Sequence, residues 1–176
     1  MPLRLVHLED DPLDAELVRE ILTRDGLGCD LVLAADRDAF LAAIEDEPDL
    51  VLADFSLPGF DGLTAQTLLR SRWPDVPFVF VSGSLGEERA IETLRSGATD
   101  YVLKHRLSPL SKVVRRALAE VEERKRRRSA EEQLKILNAE LEQRVAERTR
   151  QLKEAYAAIA GREEELRRSE QFLASV

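Results

Sequence analysis

The sequence predicts an α/β fold, with a doubly wound parallel sheet of five strands followed by one long α-helix. Five short apolar runs alternate with helical segments over residues 1–108, and such strict alternation is typical of parallel sheets covered by helices. Most of the runs lack polar alternation, as expected for strands buried on both faces. After residue 108 only Pro109 and Gly161 could interrupt a helix.

Each element is predicted from its local pattern. The predicted strands cover 3–8, 31–34, 50–53, 78–81 and 101–103, and the predicted helices cover 12–24, 37–46, 62–72 and 87–96. The first helix has Pro12 in its opening turn and an apolar stripe of Leu13, Leu17 and Ile21.

Composition separates two parts of the chain and excludes some classes of protein. Residues 1–108 carry 21 acidic and 10 basic side chains, whereas residues 109–176 carry 13 and 16. We therefore expect a compact acidic domain at 1–108 and a helical segment at 109–176. No apolar run approaches the ~18 residues of a membrane span, and no secretion signal is evident. The single cysteine, Cys29, cannot form an internal disulfide, which predicts a cytoplasmic protein.

Charged and polar residues follow four of the five predicted strands. Glu9 and Asp10 follow the first strand, Asp54 the third, Ser82 ends the fourth and Lys104 follows the fifth. Ligand sites of doubly wound sheets lie at the carboxyl ends of the strands, so these side chains should converge. Mg²⁺ would relieve the repulsion between the carboxylates, and Lys and Ser are suitable partners for a phosphoryl group.

These residues and their motifs resemble the receiver domain of two-component signalling, a flavodoxin-like fold, over residues 1 to about 107. The matching features are the acidic pair Glu9-Asp10, an Asp54 followed by the Pro-Gly-Phe-Asp-Gly turn at 58–62, Ser82, and Tyr101 three residues before Lys104. The resemblance implies that Asp54 accepts a phosphoryl group from a phosphohistidine-bearing kinase or phosphotransfer protein.

The resemblance also implies roles for the surrounding residues. The implied Mg²⁺ ligands are Asp10, Asp54, the backbone carbonyl of Ser56 and, through water, Glu9. Lys104 and Ser82 would bind phosphoryl oxygens, and Ser82 and Tyr101 would switch position on phosphorylation. Such a domain is no independent enzyme, although it would catalyse its own phosphorylation and dephosphorylation.

Two positions near the site need separate interpretation. Receivers usually have proline after the lysine, and here His105 follows Lys104. A cis peptide bond without proline costs roughly 2.5–4 kcal/mol, so we expect a trans bond. Asp11 extends the acidic pair, and we expect it to cap the first helix instead of binding metal.

The tail carries a heptad pattern that predicts a parallel, dimeric coiled coil. Its core positions are Leu134, Asn138, Leu141, Val145, Leu152, Ile159, Leu166 and Leu173. Asn138 at a core position favours a parallel dimer in register, whereas Arg148 and Arg162 at core positions should weaken the seam. The basic run at 124–128 is flanked by glutamates and is interpreted as a solvated helix face, so no direct nucleic-acid binding is predicted.

The tail resembles the signalling helix between a receiver and a downstream module. Residues 164–173 resemble the lead-in to a PAS domain, as in a hybrid sensor histidine kinase. We expect no kinase core here, because the two histidines, His7 and His105, both precede the coil.

The favoured hypothesis is a phosphorylation-dependent switch whose output passes through the dimeric coil to a module absent from this chain. The alternative is a constitutive dimerisation scaffold with a vestigial pocket. A haloacid dehalogenase-type hydrolase is set aside, because it needs an aspartate where Ser56 stands.

Overall fold

The structure is a computed structural model that describes residues 3–83 and 97–173, with the backbone alone at 166 and 169–173. The chain divides into two compact units, Met1–Lys125 and Arg126–Val176. The first unit holds the sheet. The predicted helix at 87–96 lies outside the described residues.

Five strands form one parallel sheet: β1 Leu3–Leu8, β2 Cys29–Ala34, β3 Leu50–Ala53, β6 Phe78–Ser82 and β7 Asp100–Leu103. Their order in the sheet is β2-β1-β3-β6-β7. The predicted fold and each predicted strand are confirmed, with β2 beginning two residues earlier than expected. Two short antiparallel strands that the sequence did not predict, β4 Ser56–Leu57 and β5 Phe60–Asp61, form a ribbon after β3.

The helices of the described ranges are α1 Pro12–Arg24, α2 Arg37–Ala43, α3 Gly62–Arg72 and a C-terminal helix Leu110–Leu173. The bounds of α1 and α3 are those predicted, and α2 ends three residues early. Aspartates cap all three shorter helices, and Asp11 accepts a hydrogen bond from the Leu13 N–H at 2.8 Å. The cap role predicted for Asp11 is therefore confirmed.

Two apolar cores cover the two faces of the sheet. Successive residues of a strand point to opposite faces, so Val6 and Leu8 belong to one core and Leu5 to the other. Strands β1, β3 and β6 are buried along almost their whole length, whereas the edge strands β2 and β7 are partly exposed. This burial explains the unbroken apolar runs of the central strands.

The face of α1 that packs on the sheet differs from the predicted stripe. Its buried residues are Ala15, Val18, Ile21 and Leu22. Leu13 is 79% exposed and Leu17 is 42% exposed. The packed face is centred on Val18, with Ala15 and Leu22 on the same side of the helix. Of the predicted stripe, only Ile21 is buried.

The C-terminal helix begins as part of the first unit. Leu110, Val114 and Ala117 are buried in the second core. Every described side chain after Val121 is exposed. Among the described residues, no helix combines the length and the apolar composition needed to cross a bilayer.

Candidate functional site

The site lies where the strand order of the sheet reverses, at the carboxyl ends of β1 and β3. Asp54 follows β3, and its backbone N–H donates a 2.9 Å hydrogen bond to the Leu8 carbonyl at the end of β1. The Glu9 N–H likewise donates to the Ala34 carbonyl at 2.9 Å. These bonds extend the strand ladders by one residue, so that Glu9 and Asp54 start side by side at one edge of the sheet.

Three carboxylates form an acidic cluster at this edge. One oxygen each of Glu9, Asp10 and Asp54 lies within 4.8 Å of the others. Asp10 is exposed, Asp54 is partly buried, and the Glu9 side chain is only 1% exposed. Burial raises the pKa of Glu9, although hydrogen bonds from Lys104 and from the Asp11 N–H oppose this effect. The donor set of carboxylate oxygens around a buried anion fits Mg²⁺.

Lys104 lies in the cluster and contacts three carboxylates at once. Its Nζ is 2.7 Å from Oε2 of Glu9, 2.7 Å from Oδ2 of Asp14 and 2.8 Å from Oδ2 of Asp54. An ammonium has three N–H groups, so each carboxylate can accept one. Burial alone would lower the pKa of Lys104, but the hydrogen bonds to Asp14, Asp54 and Glu9 outweigh it and raise the pKa above its ordinary value. Lys104 is therefore a permanent cation.

Both oxygens of Asp54 are held. Oδ1 accepts the Phe55 N–H at 2.6 Å and the Ser56 N–H at 3.4 Å, while Oδ2 faces Lys104. The backbone at Gly62 passes close to Asp54, since a Cβ added at Gly62 would be 2.5 Å from the Asp54 carbonyl oxygen. The carboxylate is thus oriented before any ligand binds.

Residues 5–115 match the family model described as the response regulator receiver domain. The chain belongs to this family. A receiver of this kind is a phosphoacceptor without independent catalytic activity, works with a histidine kinase or phosphotransfer protein, and binds Mg²⁺ at its acidic site.

Individual relatives agree with the family match. The chain is 34% identical over 97 residues to the regulatory protein LuxO of Vibrio cholerae, covering 55% of this chain and 21% of LuxO. It is 35% identical over 102 residues to the DNA-binding response regulator MtrA of Mycolicibacterium smegmatis, covering 57% of this chain and 43% of MtrA. The chain thus spans less than half of either relative.

Solved structures show the same fold. The receiver domain of NtrX from Brucella abortus superimposes with a TM-score of 0.59 at 34% identity, covering 65% of this chain and 98% of that domain. A longer NtrX structure gives a TM-score of 0.67 at 30% identity, covering 74% of this chain and 30% of that chain.

The other predicted site residues of the receiver lie nearby in the fold. Ser82 is buried at the end of β6, next to β3, and Tyr101 is half-buried in β7 against the first core. Ser56 is exposed at the start of β4. The roles predicted for these three residues stay predictions. The residue after Lys104 behaves as expected: no cis peptide bond occurs among the described residues, and His105 lies in a 3₁₀ turn, Lys104–Arg106.

Asp14 is the site residue that the sequence interpretation missed. It lies in the first turn of α1, and its Oδ2 is 2.7 Å from Lys104 Nζ. One signal could have identified it. Because α1 begins directly after β1, a carboxylate in its first turn must lie near the same sheet edge as Asp10.

In the tail, the predicted seam residues are exposed. Asn138 is exposed, and about half of the side-chain surface is exposed at Leu134, Leu141, Val145, Leu152 and Ile159. The side chains of Leu166 and Leu173 lie outside the described part of the structure. The pairing of two such helices stays a prediction. The basic run at 124–128 is exposed, as expected, and includes an ion pair of 3.5 Å between Arg127 and Glu131.

Proposed function

We propose that Asp54 takes a phosphoryl group from a phosphohistidine and that the dimeric C-terminal helix transmits the phosphorylated state. The observation that carries the proposal is the 2.8 Å contact between Lys104 Nζ and Asp54 Oδ2 at the edge of the acidic cluster. This contact places a permanent cation where negative charge arrives. Charge neutralisation and positioning are most of what phosphoryl transfer requires of a protein.

The chemistry follows from the oriented carboxylate. An oxygen of Asp54 attacks the phosphorus in line, the phosphorus–nitrogen bond breaks, and the donor imidazole leaves with the electron pair, which yields an acyl phosphate. Glu9, Asp10, Asp54 and the Ser56 carbonyl would hold Mg²⁺, which when bound neutralises charge on the phosphoryl oxygens. Lys104 remains paired with one of those oxygens, and water attack on the acyl phosphate later restores the carboxylate.

The response would begin on the neighbouring strands. The Ser82 hydroxyl can donate to a phosphoryl oxygen, because β6 lies beside β3 and Ser82 ends that strand. Tyr101 would move inward behind Ser82. Tyr101 and Phe80 are register partners across β6 and β7, so a movement of one strand end reaches the other.

The output would pass through the helix that follows Lys104. This helix packs on the second core through Val114 and continues to Leu173 in one piece. In support of a parallel dimer, the exposed apolar seam would be buried by a second copy, each side chain contributing roughly 1 kcal/mol or more. In this proposal the receiver domain covers residues 1–108, and its last helix with the coiled coil covers residues 109–176.

The wider setting follows from the same proposal. The chain would act in the cytoplasm, in keeping with its single Cys29, as the input part of a receiver–PAS hybrid histidine kinase. MtrA is named as a DNA-binding regulator, whereas the solvated basic run supports no direct nucleic-acid contact for this chain.

Labelling by acetyl phosphate with Mg²⁺ tests the phosphoacceptor. The wild type should gain the mass of one phosphoryl group, and Asp54→Asn should gain none. Asp38→Asn, an exposed aspartate of α2, serves as the matched control and should be labelled like the wild type. A wild type that stays unlabelled while forming a stable dimer would favour the constitutive scaffold.

Sedimentation equilibrium tests the coil. Leu141→Glu places a charge in the predicted seam and should weaken self-association at least tenfold, since a buried unpaired charge is costly. Ile136→Glu is the control, because Ile136 is equally apolar and exposed but lies outside the seam. Equal effects of the two changes would contradict the predicted heptad. A spectroscopic probe on the coil should also respond to beryllofluoride.

A further inference from the structure

Asp14 contacts the cation of the site but is not one of the three clustered carboxylates. Glu9, Asp10 and Asp54 place oxygens within 4.8 Å of one another, and Asp14 is absent from that group. Yet Asp14 Oδ2 lies 2.7 Å from Lys104 Nζ, as close as Glu9. Asp14 therefore reaches the site through Lys104 alone, from a helix instead of a strand.

Lys104 donates hydrogen bonds to Asp14 and Asp54, and Glu9 Oε2 lies 2.7 Å from the same nitrogen. Phosphorylation removes the carboxylate charge of Asp54, so a phosphoryl oxygen on Asp54 then competes with Glu9 and Asp14 for the ammonium. Glu9 is 1% exposed and Asp54 is 14% exposed, whereas Asp14 is 36% exposed and can be rehydrated at the lowest cost. Asp14 is thus the carboxylate that gives way.

The charge of Asp14 remains close to the site after displacement. Three carboxylates contact the ammonium and Asp10 lies in the cluster with two of them, so the edge carries an excess of negative charge. A cation bound there gains from Asp14, and a phosphoryl group bound there is repelled by it. The two kinds of ligand should therefore respond to Asp14 in opposite directions.

We propose that Asp14 is a positioning residue that holds Lys104 beside Asp54 in the unphosphorylated state and shortens the lifetime of the phosphorylated state by competing for the same ammonium. The inference rests on the proposed phosphoacceptor function of Asp54.

Two titrations of the full chain test this role. Calorimetry with Mg²⁺ alone should show weaker binding to Asp14→Asn than to the wild type. Titration with beryllofluoride at saturating Mg²⁺ should show tighter binding to the same variant. The expected size of each change is roughly threefold to tenfold, because the carboxylate is partly exposed and water screens its charge. The acyl phosphate formed from acetyl phosphate should hydrolyse more slowly by a similar factor.

Three further variants make the outcome decisive. Asp14→Glu keeps the charge and should restore both affinities towards wild type, whereas Asp14→Ser should repeat the effect of Asp14→Asn. Glu16→Gln removes a carboxylate of the same helix that pairs with Arg19 at 3.5 Å, and should change neither affinity.

Several results would overturn the role of Asp14. These are equal weakening of Mg²⁺ and beryllofluoride binding, no change in either, the same changes in Glu16→Gln, or loss of helical circular dichroism in both Asp14→Asn and Asp14→Ser. A wild type that neither binds beryllofluoride nor is labelled at Asp54 would instead refute the phosphoacceptor function, and the role of Asp14 with it.

Discussion

Histidine 7 should make the stability of this receiver depend steeply on pH. It is the residue before the last of β1 and has no exposed surface, and neither ring nitrogen has a hydrogen-bond partner in the described structure. Burial, reinforced by the positive charge of Lys104 and opposed by Asp14, lowers the pKa of His7 to about 4. The folded protein therefore keeps His7 neutral where an unfolded chain would protonate it.

The sign and size of the change in the free energy of unfolding with pH follow from proton linkage. The pKa is lowered from 6.5 to about 4 on folding, so the stabilising contribution is present above pH 6.5 and is lost as pH falls towards 4. The free energy of unfolding should fall by about 2 kcal/mol between pH 7 and pH 5 and by about 3 kcal/mol at pH 4. Glu9 acts in the opposite sense, because its raised pKa favours the folded state as pH falls.

Urea denaturation without Mg²⁺ at pH 7, 6 and 5 measures this effect in variants that share Glu9. His7→Leu removes the titrating ring and two unpaired polar atoms from an apolar position, so its stability should change by about 2 kcal/mol less than that of wild type over this range. His105→Gln, which alters the exposed histidine, should keep the wild-type dependence. Parallel pH profiles for wild type and His7→Leu would show that His7 is not the source of the pH dependence.

Two further predictions concern packing and charge at the site. Gly62→Ala should lower the free energy of unfolding by roughly 1–3 kcal/mol, because its Cβ would meet the Asp54 carbonyl oxygen at 2.5 Å and a ring carbon of Phe80 at 2.7 Å. Gly28→Ala, with nothing within 4 Å of the added Cβ, should change it by less than about 1 kcal/mol in the same urea titration, and equal losses would contradict the close approach. Lys104→Met leaves the carboxylates without their cation, so Mg²⁺ should raise its melting temperature more than that of wild type. An equal Mg²⁺-induced shift in both proteins would count against the charge argument.

The sheet and the main residues of the site could be predicted from the amino-acid pattern alone. Strands buried on both faces must be apolar throughout, so the runs ending at Leu8, Ala53 and Val81 marked β1, β3 and β6 to within one residue. Parallel strands end at one edge, so Glu9 and Asp54 had to meet there whatever the details of packing. Local chemistry also determined the cap at Asp11.

The rotation of each helix and the contacts between side chains of different elements depend on the folded arrangement of the whole domain. The packed face of α1 depends on how the helix settles on β1 and β2, which buries Val18 and leaves Leu13 exposed. The same rotation brings Asp14 to Lys104, two residues 90 positions apart in the chain. Periodicity within one helix cannot specify either result, because both are set by the simultaneous packing of distant segments.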